Sequence, residues 1–193
     1  MRLCEMNTFC KLEFAWREDM IEIRKAVLLD LEQIELLYND LCDYLEVHEN
    51  YPGWKKGVYP TREDAEKGIR EESLFVVEKE NKIVGTFILS HKPEDGYKNV
   101  TWLTENDYSR IYVLYTFAVH PGYLQQGFGM EILKYVEKLA EKEHCISIRL
   151  DVVKGNIPAE KLYQKNGYKF IDTISLGYEE YGLPWFNLYE KVL

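Results

Sequence analysis

The sequence predicts a mixed α/β fold built around one parallel β-α-β unit. Three observations lead to it. The run from Arg110 to Val119 is apolar enough to be a buried strand. After a short turn, Ile132, Leu133, Val136, Leu139 and Ala140 mark one face of a helix that ends before His144. Ile146 to Val152 is then a short apolar run of the parallel-strand type. Strand and helix patterns also alternate on both sides of this unit, as a mixed sheet requires.

The other elements follow in chain order. Ile21 to Ala26 alternates and reads as a first strand. Asp30 stands where a helix cap belongs, with Gln33 three residues on as its capping-box partner. Ile34, Leu37, Leu41 and Leu45 then recur at helical spacing. Thr61 to Asp64, after Pro60, opens a second, short helix. Leu74 to Glu78 and Ile83 to Leu89 read as strands joined by a tight turn at Glu80-Asn81, and Gly85 marks either a bulge or close packing. Residues 92–108 form a polar loop with a short strand expected around Trp102. Pro158 to Asn166 is a helix with proline in its first turn and Gly167 past its end. Tyr168 to Thr173 and Trp185 to Tyr189 are the last strands. No repeat or linker divides the chain. Residues 20–193 read as one domain and residues 1–19 as an N-terminal extension, with Met20 a candidate second start.

Composition narrows the class. A chain of 193 residues, 46% hydrophobic and 30% charged, suits one globular domain with a sizeable core. No apolar run approaches the roughly 18 residues of a membrane helix. Glu5, Lys11 and Glu13 interrupt any leader-like apolar stretch, so a cytoplasmic protein is expected. Cys4, Cys10, Cys42 and Cys145 are scattered without a Cys-x-x-Cys pair and read as free thiols, with no metal site. A net charge of −9 disfavours nucleic acid and anionic membranes and favours a cationic partner.

The stretch Val119-His120-Pro121-Gly122-Tyr123-Leu124-Gln125-Gln126-Gly127-Phe128-Gly129-Met130 carries the chemistry. A strand runs into a turn with two glycines two apart, and a helix follows. Such a turn aims backbone N–H groups at one point, where the helix dipole is positive. Glycine lets a diphosphate come close to the main chain. A P-loop needs Gly-Lys-Ser/Thr, and here Gly129 is followed by Met130 and Glu131. A dinucleotide fingerprint needs a third glycine where Ile132 stands.

Phe117-Ala118-Val119-His120-Pro121 followed by Gln125-Gln126-Gly127-Phe128-Gly129 resembles motif A of the GNAT superfamily of N-acetyltransferases. Asn156-Ile157-Pro158-Ala159-Glu160-Lys161-Leu162-Tyr163-Gln164-Lys165-Asn166-Gly167-Tyr168 resembles that family's motif B. The motifs stand in the family's order, and the resemblance spans about Met20 to Leu193. Leu124 departs from the family's usual Gln or Arg. That removes a side-chain contact and leaves the backbone grip.

The resemblance implies a GNAT-like, mostly antiparallel mixed sheet with a splayed strand pair, and acetyl-coenzyme A as co-substrate. Phe117, Ala118 and Val119 would pair with its pantetheine arm. Gln125, Gln126, Gly127, Phe128, Gly129 and Met130 would wrap its diphosphate. Asn156 would contact the arm, or cap a helix. Tyr163 would be the general acid, since a phenol of pKa about 10 can reprotonate a thiolate of pKa about 8.5; the bland reading is a core tyrosine. The base is not evident, because Arg110 to Val119 holds no carboxylate. His120, beside Pro121, reads as structural, and His48, Glu49, His91 and Asp107 are further candidates.

An acceptor pocket is expected between the aromatic loops Tyr51 to Pro60 and Gly177 to Trp185, with Glu179 and Glu180 attracting a cationic amine. The implied function is transfer of acetyl from acetyl-coenzyme A to a primary amine of a small molecule or peptide, by direct attack in a ternary complex. The alternative is a catalytically silent coenzyme A-binding sensor or interaction module. The oligomeric state is not fixed by the sequence, and a homodimer is compatible with it.

Overall fold

The computed structural model describes residues 21–193. The expected extension, Met20, Cys4 and Cys10 lie outside them. The strands are β1 (Glu22–Lys25), β2 (Leu74–Lys79), β3 (Lys82–Ser90), β4 (Ile111–Val119), β5 (Ser147–Val153), β6 (Lys169–Ile174) and β7 (Phe186–Val192). They form one seven-stranded sheet in the order β1-β2-β3-β4-β5-β7-β6. Every neighbouring pair is antiparallel except β4 and β5. The α-helices are α1 (Leu31–Val47), α2 (Arg62–Arg70), α3 (Phe128–Lys142) and α4 (Ile157–Lys165). The mixed, mostly antiparallel sheet around a β4-α3-β5 crossover is the expected architecture.

Strand alternation sorts the core into two layers. Leu74, Val76 and Ile83 pack with Ile34, Leu37 and Leu41 of α1 and Ala65 of α2. Phe75, Val77 and Val84 point to the other face and pack with Ile132, Leu133 and Val136 of α3. Ile148, Leu150 and Val152 of β5 join this second layer. Ser147, Arg149 and Asp151 must then face away from α3.

Local chemistry explains most boundaries. Thr61 and Asp64 form a capping box at α2, with Asp64 accepting from the Thr61 N–H at 2.8 Å. Glu80 and Asn81 both have positive φ (52° and 61°), the two-residue turn that matches strand twist. Gly85 meets both of its expected readings. The β2–β3 register shifts beside it, and an added Cβ would lie 2.9 Å from the Ala118 carbonyl oxygen.

Two sequence expectations fail. Asp30 precedes α1 but does not cap it through Gln33. A 3-10 turn at Leu28–Asp30 places Asp30 in a helical conformation, and its carboxylate takes two bonds from Arg24 (2.7 and 2.9 Å) and the Val27 N–H. Gln33 instead accepts from the Ile83 N–H at 3.1 Å, tying α1 to β3. Trp102 lies in no strand. The chain there wraps over the sheet face, and the Thr104 and Glu105 carbonyls accept from Arg149.

The sheet opens at its centre. β4 pairs with β5 only from Ile111–Ser147 to Leu114–Leu150. Against β3, Tyr115 pairs with Ile88 but Ala118 pairs with Thr86, so β4 carries one extra residue. Thr116 takes the strain with φ +46°. Beyond this bulge β4 stays with β3, while β5 continues along β7 from Asp151–Leu188 to Val153–Phe186. This is the splayed pair that the resemblance implied.

Candidate active site

The opening between β4 and β5 leaves main-chain groups of β4 without a neighbouring strand. The His120 N–H bonds to the Val84 carbonyl on the β3 side at 2.8 Å. Alternation therefore turns the N–H and carbonyl of Val119, and of Phe117 two residues earlier, into the opening. Phe117 and Val119 are half-buried and Ala118 is buried against the α1 layer.

At the end of β4 the chain turns through Pro121–Tyr123 into α3. His120 holds that turn. Its Nδ1 accepts from the Gly122 N–H at 3.0 Å, and its Nε2 lies 3.3 Å from Asp40 Oδ2. With both nitrogens engaged, His120 braces this turn.

Gln125 (φ +61°) and Gly127 (φ +90°) turn the loop into an exposed arch. The backbone N–H groups of Gln125, Gln126, Gly127, Phe128 and Gly129 have no hydrogen-bond partner among the described residues. They are consecutive and lead into the positive end of α3, an arrangement that binds anions. Met130 differs, because its N–H already bonds to the Gly127 carbonyl at 2.9 Å. The Phe128 ring is buried in the core, so only its backbone is available. Gly127 is required for its left-handed φ, since an added Cβ there meets nothing within 4 Å. Gly129 is required for packing, with an added Cβ 3.0 Å from Leu162 Cδ2 and 3.7 Å from Phe117 Cε1.

The far wall is α4. Asn156 caps it, its Oδ1 accepting from the Ala159 N–H at 3.3 Å. Tyr163 is buried, with its ring edge-to-face to Phe117 at 6.3 Å and near Tyr168 (5.7 Å) and Tyr189 (6.2 Å). Its hydroxyl bonds to no other described residue. Burial, and then the negative charge of Asp151, raise the Tyr163 pKa, so the phenol keeps its proton at neutral pH.

Sequence reasoning missed Asp151. It is the first residue of β5 past the last pair with β4. Its carboxyl is only partly exposed, and Tyr97 Oη donates to Oδ1 at 2.7 Å. Burial pushes its pKa up to about 6; the Tyr97 bond opposes this and the Glu94 charge adds to it. Its own charge raises the pKa of Tyr59, Tyr115, Tyr163 and Tyr178, which places it among these phenols. The available signal was a lone carboxylate in an apolar parallel strand.

The other candidate bases lie elsewhere. His48 stacks on Tyr44 at 3.9 Å at the end of α1, and Glu49 is exposed. His91 stacks on Tyr112 and bonds to the Ile111 carbonyl, at the closed end of β4. Asp107 caps the 3-10 turn before β4.

The two aromatic loops do meet beside the opening. An added Cβ at Gly53 would lie 2.4 Å from Leu183 Cδ2, and the Tyr59 hydroxyl bonds to Thr116 at the bulge. Glu179 and Glu180, however, are exposed, and Glu179 accepts from the Ser175 hydroxyl. Besides Asp151, the carboxylate near the phenols is Glu94, half-buried beside Tyr178, with a pKa raised by burial and by Asp95. Among the described residues no helix is long and apolar enough to cross a membrane, and no group of three or more His, Cys, Asp or Glu could hold a metal ion.

Solved structures share this architecture. An acetyltransferase of the GNAT family from Streptococcus agalactiae superposes with TM-score 0.74 at 19% identity, covering 91% of this chain and 96% of that one. One from Listeria monocytogenes gives 0.69 at 20%, covering 90% and 95%. The ribosomal-protein-S18-alanine N-acetyltransferase of Escherichia coli gives 0.64 at 17%, covering 90% and 94%. The model of the Acetyltransferase (GNAT) family matches residues 34–168, from α1 through the opening and α4 to Tyr168, and the chain therefore belongs to the GNAT family of acetyltransferases.

Proposed function

We propose that this protein transfers an acetyl group from acetyl-coenzyme A to a primary amine of a small molecule or peptide, by direct attack in a ternary complex. The observation that carries the reading is the opening between β4 and β5, which has an anion-binding arch at one end and Asp151 and Tyr163 beside it. The residues present suit the co-substrate. The N–H groups of Gln125 to Gly129 would hold a diphosphate, and the strand-free edge of Phe117 and Val119 would hold an extended amide-bearing arm. Asn156, whose Oδ1 caps α4, has its Nδ2 left for that arm.

When bound, acetyl-coenzyme A supplies an activated acetyl thioester. The chain's own residues manage protons. Above pH about 6 Asp151 is ionised and accepts a proton from the attacking nitrogen. Tyr163 Oη, kept protonated by burial, gives one to the departing sulfur and is reprotonated from solvent. Asp151 then releases its proton to solvent, so for a neutral attacking amine one proton leaves nitrogen, one reaches sulfur, and amide and thiol form in balance.

The acceptor side favours a cation. Asp151 and Glu94 provide negative charge, and Tyr59, Tyr115 and Tyr178 provide aromatic faces. Protein N-termini belong among the acceptors to be tried, since a structural neighbour is named for a ribosomal-protein alanine. A cytoplasmic site of action goes with this reading. A panel of amines and N-terminal peptides, followed by thiol release, tests it. Turnover supports it. Tight acetyl-coenzyme A binding by calorimetry with no turnover on any amine would instead favour the silent coenzyme A-binding module.

A further inference from the structure

Residues 91–110, between β3 and β4, lie on the sheet face opposite α3. Tyr97, Val100 and Trp102 from this segment pack with Val113 of β4 and Leu188 of β7. The Trp102 Nε1–H donates to the Tyr97 carbonyl at 3.0 Å, and the two rings lie 5.0 Å apart. Arg149 fixes Trp102 in turn, with its guanidinium 4.3 Å from the indole. Tyr97 is fully buried, and its hydroxyl has one partner, Asp151 Oδ1, at 2.7 Å. A buried ring held on two sides cannot swing its hydroxyl away.

We propose that Tyr97 is a positioning residue for proton transfer at Asp151: its O–H holds Oδ1 and leaves Oδ2 to take the proton of the attacking amine. The inference rests on the acetyl-transfer reading above. A donated hydrogen bond stabilises the carboxylate over the carboxylic acid. Around Asp151, Glu94 from the same segment acts in the opposite direction. Tyr59, Tyr115, Tyr163 and Tyr178 face it from neighbouring elements as neutral phenols. Tyr97 is the group that keeps the carboxyl ionised at neutral pH against burial and Glu94.

The test is the pH dependence of kcat/KM in the full chain, for wild type, Tyr97→Phe and Asp151→Asn. Tyr97→Phe keeps the ring and should move the acid limb up by about one to two pH units, the worth of a hydrogen bond to a charged group. Asp151→Asn should abolish the limb along with most activity. If Asp151→Asn is inactive while Tyr97→Phe keeps the wild-type limb, the positioning role is wrong and the base assignment stands. If Asp151→Asn has wild-type activity and an unchanged limb, the base assignment fails and the positioning role fails with it. A second measurement covers a Tyr97→Phe protein that does not fold. In folded wild type, the ¹³Cζ resonance of Tyr97 should titrate with the midpoint of the acid limb. A Tyr97 resonance that stays flat across that limb would overturn the proposal.

Discussion

Arg149 and Asp151 stand two residues apart on the same face of β5, yet they are not paired. Arg149 is fully buried and pairs with Glu190 at 2.9 Å; its remaining donors go to Asn106 (2.7 Å), Tyr108 (2.9 Å) and the Thr104 and Glu105 carbonyls. Burial pushes the Glu190 pKa up, but bonds from Thr104, Arg149 and Ser147 outweigh this and leave it lowered. The cation nearest in sequence to Asp151 is thus spent on another carboxylate. Asp151 keeps a phenol as its hydrogen-bond partner and the proton affinity of a base that works near neutral pH.

Arg149 is accordingly a stability residue. Arg149→Met leaves Glu190 buried without its partner and frees the 101–108 segment. A loss of about 3–5 kcal/mol in urea unfolding is expected, as for other broken buried ion pairs. Unchanged stability would mean that Thr104, Ser147 and the Leu103 N–H satisfy Glu190 alone.

The anion arch predicts different outcomes at its two glycines. Gly127→Val forces a branched side chain to φ +90° at an exposed site. Acetyl-coenzyme A affinity by calorimetry should fall by at least about tenfold, with the arch distorted and the core intact. Gly129→Val meets no unfavourable φ but presses on Leu162, so it should also lower the melting temperature by separating α3 from α4. If both variants bind acetyl-coenzyme A like wild type, the arch does not hold the diphosphate.

Tyr163→Phe removes one hydroxyl and little volume. Single-turnover acetylation should slow by ~10²-fold, about 2.7 kcal/mol of barrier, with acetyl-coenzyme A affinity unchanged. A variant with the wild-type single-turnover rate would leave Tyr163 a packing residue in contact with Phe117 and Tyr189.

The proposed acceptor site predicts that charge is read by Glu94, half-buried beside Tyr178, and not by the exposed Glu179 and Glu180. With a cationic amine, Glu94→Gln should raise KM for the acceptor several-fold and leave KM for acetyl-coenzyme A alone. The double change Glu179→Gln, Glu180→Gln should do little, because exposed charges are screened by solvent and salt. The reverse ranking would place the acceptor's charge at the exposed tip of the last loop, beside Glu179 and Glu180.

Much of this was legible in the sequence because it depends on local pattern. The β4-α3-β5 crossover, the turn at Glu80-Asn81 and the glycine arch each follow from periodicity or backbone requirements within a few residues. What was not legible depends on partners far apart in the chain. Asp30 and Gln33 meet the sequence rule for a capping box, but Gln33 is taken by the Ile83 N–H, 50 residues on. Residues 92–108 read as a polar loop, because nothing local shows that Tyr97 is buried with Val113 and Leu188 or that Trp102 stacks on Arg149. Asp151 was passed over for the same reason: its partner Tyr97 is 54 residues away. Glu179 and Glu180 follow Tyr178 in the chain but are exposed, which sequence proximity does not encode.

The most direct test of Asp151 as the base is the pH dependence of single-turnover acetylation in wild type and Asp151→Asn, read beside thermal melts of both. Folded Asp151 binds its proton more tightly than the unfolded chain, whose carboxyl titrates near 3.8, so stability falls as pH rises from there to about 6. The account predicts a wild-type rate that rises through pH about 6 to a plateau. It predicts an Asp151→Asn protein slowed by ~10²-fold or more with no such rise, yet melting at a higher temperature at pH 7.5, by at most about 3 kcal/mol of stability. An Asp151→Asn protein that keeps the wild-type rate and the same rise through pH about 6 would contradict it.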